Sequence, residues 1–97
     1  MRKSFLVVFS ESYATRDQVT DLLDTIGPDW DWHAPLPHCV LFTSPLSAQE
    51  LADKFEKQFG HGGGKIFLIT EVPANKQGRL TDRGWRVLNN PENPRAK

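Results

Sequence analysis

The chain has 97 residues, the size of one domain that can build a hydrophobic core without metals or disulfides. Twelve basic and twelve acidic residues cancel, so no overall charge draws it to nucleic acid or a membrane surface. Residues 1–75, however, carry six basic against ten acidic residues, and residues 76–97 carry six against two. The basic end can bind an anionic partner or fold against its own acidic body, and both possibilities stay open.

The single cysteine, Cys39, excludes a disulfide within the chain and lies in an apolar run, where cysteine behaves as a small hydrophobe. No apolar stretch reaches the roughly 20 residues of a membrane span. No cleavable signal segment precedes the first apolar run. We therefore expect a soluble, cytoplasmic protein.

The first element is the apolar, β-branched and aromatic run Ser4–Ser10, which predicts a central strand covered on both faces. A helix follows, because Thr15 and Gln18 form a capping-box pattern and apolar residues then recur at helical spacing. Gly27, followed by a proline, predicts its end.

Residues 29–33 alternate polar and apolar, which predicts a short strand that Pro35 and Pro37 break. The apolar run 38–43 predicts the next strand, antiparallel to it because the connection is so short.

A second capping box, at Ser47 and Glu50, begins a helix that Gly60 ends. Residues 65–71 predict a fourth strand, and Thr81 caps a short helix that reaches Leu88. We expect residues 89–97 to be disordered. The predicted organisation is thus a core over residues 1–72 and a C-terminal extension over residues 73–97.

This order of elements is the ferredoxin-like βαββαβ pattern, an α+β fold with a four-stranded antiparallel sheet and two helices on one face. The first and third strands lie in the middle of such a sheet. The first strand is apolar on both sides, so its second face needs a cover, either the C-terminal extension or a second copy of the chain. We expect a homodimer packed sheet to sheet. The candidate interface residues are Leu6, Val8, Trp85 and Leu88.

Catalytic candidates are weak and lie at one rim of the sheet, where Ser10, Glu11 and His61 come together in this topology. Ordinary loop roles are favoured, because no spacing here is specific for a catalytic triad. His33, His38 and Cys39 are metal-ligand types, but adjacent strand residues point to opposite faces, and we expect no metal site and no cofactor.

Three arginines at helical spacing, Arg79, Arg83 and Arg86, can contact nucleic-acid phosphates or form a solvated helix face. Trp30 and Trp32 are expected on opposite faces, one in the core and the other able to stack on a base or anchor an interface. Trp30 is the candidate that we take as the base-stacking residue.

Several short stretches carry a family resemblance. They are the Trp30/Trp32/His33 cluster, Thr43-Ser44, residues 46–51, residues 66–69 and Gly78-Arg79-Leu80 before Trp85. The chain resembles the small bacterial proteins labelled SinR-like, which are similar to the ferredoxin-like CRISPR-associated adaptation subunit and to VapD-type ribonucleases. The resemblance implies a dimer and, in nuclease members, a metal-binding aspartate at the end of the first strand. Ser10 occupies that position here.

The leading hypothesis is a small dimeric domain without catalysis that acts through protein or nucleic-acid contacts. The alternative is a metal-dependent ribonuclease or endonuclease of toxin or CRISPR-adaptation type, which would use Mg²⁺. A further alternative is an accessory protein of a mobile element.

Overall fold

The structure, a computed structural model, describes residues 1–60, 62–73 and 76–92. The described elements are, in chain order, β1 (Lys3–Phe9), α1 (Arg16–Ile26), β2 (Trp32–Leu36), β3 (Cys39–Ser44), α2 (Ala48–Phe59), β4 (Phe67–Glu71) and α3 (Asp82–Asn89). The strands form one antiparallel sheet in the order β2-β3-β1-β4. The predicted ferredoxin-like α+β architecture, with the first and third strands in the middle, is confirmed.

The main core lies between the sheet and the helices α1 and α2. Alternate residues of β1, Phe5, Val7 and Phe9, point into it. Val7 pairs with Val40 of β3 on one side and with Ile69 of β4 on the other. β1 therefore lies between β3 and β4, and β2 is joined to the sheet through β3.

Both long helices begin as the sequence predicts. Thr15 Oγ1 accepts a hydrogen bond from the Gln18 amide at 3.2 Å, and Gln18 Oε1 accepts one from the Thr15 amide at 2.8 Å. Ser47 and Glu50 exchange the same two bonds at 3.1 Å each. Each capping box satisfies two amides at a helix start that have no partner within the helix.

The second strand does not lie where the sequence predicts. We expected it over residues 29–33, broken by Pro35, but β2 runs through that proline to Leu36. A proline is tolerated because β2 is at the edge of the sheet, and its pairing with β3 shifts register between His33 and Leu36. The prolines therefore mark an edge strand rather than a strand end.

The C-terminal helix α3 covers much of the second face of the sheet. Thr81 Oγ1 accepts from the Gly84 amide at 3.1 Å and so caps the helix as predicted. Val87 and Leu88 are buried against Leu41 of β3, with Leu6 of β1 partly buried beside them. Of the two predicted covers for this face, the extension supplies one.

The end of α3 also corrects one expectation. Asn89 belongs to the helix, whereas we predicted that disorder begins there. The last part of the predicted tail, residues 93–97, lies outside the described residues. Among the helices that the structure describes, none has the length and apolar content needed to cross a membrane.

Candidate functional site

The end of β1, where the sequence places its weak catalytic candidates, closes a loop. Ser10 Oγ donates to the Gly64 carbonyl at 3.0 Å and accepts from the Ile66 amide at 3.1 Å. Ser12 Oγ donates to the same Gly64 carbonyl at 2.8 Å. The Ser10 hydroxyl therefore donates its proton to a backbone oxygen, and its two hydrogen bonds connect the loop between α2 and β4 to the end of β1.

The other rim candidates do not join Ser10. Glu11 is almost fully exposed, and its Oε1 lies 3.6 Å from Nε2 of His38, the residue before β3. His61 lies outside the described residues. The metal-ligand types His33, His38 and Cys39 do not converge, and no group of three such side chains is close enough to hold a metal among the residues that the structure describes.

A buried carboxylate receives two of the three candidate arginines. Asp31, just before β2, has a side chain only 2% exposed. Arg83 Nη2 lies 3.7 Å from its Oδ1, and Arg86 Nε lies 3.9 Å from its Oδ2. Both arginines come from α3, so this cluster ties the C-terminal helix to the sheet electrostatically. Arg79, which precedes α3, is exposed.

The backbone around Asp31 holds its carboxylate in place. Its amide donates to Thr43 Oγ1 at 3.0 Å, and its carbonyl accepts from the Thr43 amide at 2.9 Å. Oδ1 accepts no hydrogen bond from the described part of the chain. An ionised side chain this deeply buried costs free energy unless opposite charges lie near it, and here Arg83 and Arg86 supply them.

His33 gives α3 a second polar contact with the sheet. Its Nε2 lies 2.8 Å from Thr81 Oγ1, the hydroxyl that caps the helix. A Cβ on Gly84 would lie at an ordinary contact distance of 3.5 Å from the His33 ring and closer, at 3.2 Å, to the Leu80 side chain. The pKa of His33 is lowered, first by partial burial and then by the charge of Arg83, while Asp31 acts in the opposite direction.

The two tryptophans do not divide as predicted. Trp30 is 5% exposed in the core, and a Cβ on Gly27 would overlap its ring. Trp32 packs against the same core cluster and donates from Nε1 to Asp24 at 2.8 Å. Residues two apart share a strand face, which the expectation of opposite faces overlooked. A base could stack on Trp30 only if the core opened.

The edge of the sheet at β2 is capped by arginine side chains. Because the Asp31 carbonyl faces β3, the carbonyls of Trp32 and Ala34 face away from the sheet. Arg83 Nη2 donates to the Trp32 carbonyl at 3.1 Å, and Arg16 Nη1 donates to the Ala34 carbonyl at 3.4 Å. Together with Pro35, these caps protect the edge from pairing with another strand.

The opposite edge, at β4, has no such protection. The Ser10 amide bonds to the Ile66 carbonyl and the Val72 amide to the Ser4 carbonyl, so residues 66, 68, 70 and 72 turn their backbone groups toward β1. The alternate residues Phe67, Ile69 and Glu71 therefore turn theirs outward. Within the described ranges, no side chain from another element hydrogen-bonds to the β4 backbone.

Exposed apolar side chains accompany this open edge. Ile66 and Leu68 are 69% and 60% exposed, and Val8, which pairs with Leu68, is 37% exposed. They lie on the sheet face that α3 covers only in part. We call Val8, Ile66 and Leu68 the β4 patch.

The predicted interface residues divide between α3 and this patch. Leu88 of α3 is buried against the sheet, and Trp85 of α3 and Leu6 of β1 are partly buried with it. Val8 alone of the four belongs to the β4 patch. The expected dimer stays a prediction, but three of its four candidate residues already pack within the chain.

Two features of these sites escaped the sequence reasoning. Asp31 is one of several acidic residues in an acidic segment, and nothing local sets it apart from Asp29. Arg16 directly follows the helix cap Thr15, a position that gives no sign of contact with β2. Both depend on neighbours distant in sequence, so a local pattern could not reveal them.

Comparisons of this chain with protein-family models, with curated proteins and with solved structures find no match.

Replacing Asp31 by Asn should destabilise the fold, because it removes the charge that Arg83 and Arg86 face. Both arginines remain partly hydrated, so we expect a loss of about 1–3 kcal/mol in the free energy of unfolding. Denaturant unfolding measures it. Asp21→Asn, on the exposed face of α1, is the matched control and should change stability little. Equal stability of D31N and the wild type would contradict this account.

His33 should make stability fall as the solution is acidified. Its pKa is lower in the folded chain, so the unfolded chain binds the proton first as pH drops below about 6.5. The stabilisation is thus present above that pH and is lost as pH falls toward the folded pKa. Denaturant unfolding at pH 7.5 and 5.5 should show a smaller pH dependence in His33→Gln than in the wild type. An identical pH dependence would contradict the prediction.

Proposed function

We propose that this chain is a small binding domain that acts without catalysis, by accepting a strand of a protein partner at the edge of β4. The observation that carries the proposal is the contrast between the two sheet edges. Arginine side chains cap β2, which also contains a proline, whereas β4 leaves the outward backbone groups of Phe67 and Ile69 open.

Such a contrast supports a binding role because an unprotected edge is a template for strand addition. Folded proteins usually block their edges with charges, prolines or bulges. In strand addition, backbone hydrogen bonds supply much of the affinity, and side chains on alternate faces supply specificity. The β4 patch offers an apolar contact on one of those faces.

A protein partner is favoured over nucleic acid by where the charges lie. Arg83 and Arg86 face the carboxylate of Asp31, which offsets one of their two positive charges. Arg79 is left as the one exposed member of that set, and the β4 patch next to the open edge is apolar. Apolar surface of this kind is typical of contacts between proteins. A cytoplasmic location is part of the same proposal.

The binding role is tested by immobilising the wild type and two variants and exposing each to an extract of the source cells. Leu68→Lys places a charge in the β4 patch, and Leu36→Lys places the same charge on an exposed leucine of the capped edge. We expect one protein to be retained by the wild type and L36K and lost from L68K. In the complex, amide exchange at Phe67 and Ile69 should slow. Equal retention by all three forms, or by none, would overturn the proposal.

The nuclease alternative has its own test. Purified protein is incubated with RNA and with DNA, with and without Mg²⁺ or Mn²⁺. We expect no cleavage, because the position of the metal-binding aspartate in similar nucleases is held here by Ser10, whose hydroxyl is engaged with Gly64 and Ile66. Cleavage that disappears in both Ser10→Ala and Glu11→Ala would establish the alternative instead.

A further inference from the structure

We infer that the strand accepted at this edge is β4 of a second copy, paired antiparallel about a two-fold axis at Leu68. This inference rests on the proposed function and names its partner. Three features of β4 support it: the register that its backbone allows, the charges that this register brings together, and the apolar surface that it joins.

The backbone limits the possible registers. Two copies of β4 can exchange hydrogen bonds only through residues whose backbone groups face outward, which are Phe67, Ile69 and Glu71. Antiparallel pairing about a two-fold axis must therefore centre on a residue and not between two residues. Centres at Leu68 and at Ile69 both meet this condition.

Charge distinguishes these two registers. Centred at Leu68, the pairing places Lys65 of each copy opposite Glu71 of the other, an opposite-charge pair at both ends of the interface. Centred at Ile69, it places Glu71 opposite Phe67 and leaves Lys65 opposite Pro73. Lys65 lies just before β4; its amide bonds to the Gly62 carbonyl and its ammonium donates to the Phe59 carbonyl at 2.9 Å, which leaves two ammonium protons for a partner's carboxylate. Glu71 is exposed and lies 3.8 Å from Lys3, so a second cation would join an ion pair already present. Complementary cross-strand charges favour the Leu68 register.

The same register joins the apolar surfaces. Leu68 of one copy meets Leu68 of the other in a non-hydrogen-bonded pair, where opposing side chains approach most closely. Val8 pairs with Leu68 within each chain, so the two β4 patches merge into one stripe across the axis. The result is a continuous eight-stranded sheet whose outer edges are the two arginine-capped β2 strands. Such a dimer has no unprotected edge left.

The dimer is edge to edge, unlike the sheet-to-sheet packing expected from the sequence. It leaves α3 in place on the second face, where Leu88 is already buried. A single strand pair with a small apolar stripe buries less surface than a standard stable interface. We therefore expect association with a dissociation constant on the order of micromolar.

Sedimentation equilibrium or light scattering of the purified chain, over about 1 to 100 μM, measures this association. Leu68→Lys should weaken it about tenfold or more, because it sets two like charges face to face, whereas Leu36→Lys should not change it. Both leucines are exposed, so neither change should affect folding. Circular dichroism checks that both variants are folded.

A charge exchange tests the register. Lys65→Glu and Glu71→Lys should each weaken the dimer, and the double variant should restore it, because each Glu then again faces a Lys. Failure of the double variant to restore association would overturn the Leu68 register. Wild type that is monomeric throughout the range, or a dimer that L36K weakens and L68K does not, would overturn the self-pairing. A heterologous protein still retained through β4 would then leave the proposed function standing.

Discussion

The fold depends on one constraint, which is that β1 is apolar on both faces and must be covered on both. On one face, Phe5, Val7 and Phe9 pack under α1 and α2. On the other, Leu6 packs under α3. The ferredoxin-like pattern supplies the first cover, and the C-terminal extension supplies the second. Burial on both faces holds the central strand in one register, since a slip by one residue would exchange its two sets of side chains.

This arrangement covers the two faces of the sheet but not its two edges. Edges are a separate problem, because they expose backbone groups rather than side chains. At β2, Asp31 contributes to covering both the face and the edge of the sheet. Its carboxylate forms an ion pair with Arg83 of α3, and Arg83 donates to the outward Trp32 carbonyl. The electrostatic contact that fixes α3 on the face therefore also closes one edge. At β4 no comparable contact exists among the described residues, so the two edges of the sheet differ in how far their backbone groups are protected.

Much of the fold could be predicted because its signals are local. The capping boxes at Thr15 and Ser47, and the apolar run at Ser4–Ser10, each lie within a few residues. The bounds of β2 were predicted wrongly because they depend on a signal that is not local. Pro35 is compatible with a strand only at the edge of a sheet, and whether a strand lies at an edge depends on the whole sheet. The site was less predictable for the same reason. Arg83 could be identified as a candidate, but Asp31, 52 positions earlier, decides what it contacts.

Ser10 carries a consequence for how this position can vary. Its hydroxyl serves at once as a donor to Gly64 and an acceptor from Ile66. An ionised carboxylate there could still accept from the Ile66 amide, but it would face the Gly64 carbonyl oxygen with no proton to share. An aspartate at this position would therefore leave Ser12, among the described residues, as the one side chain that donates to the Gly64 carbonyl, and would hold the connection between α2 and β4 less firmly.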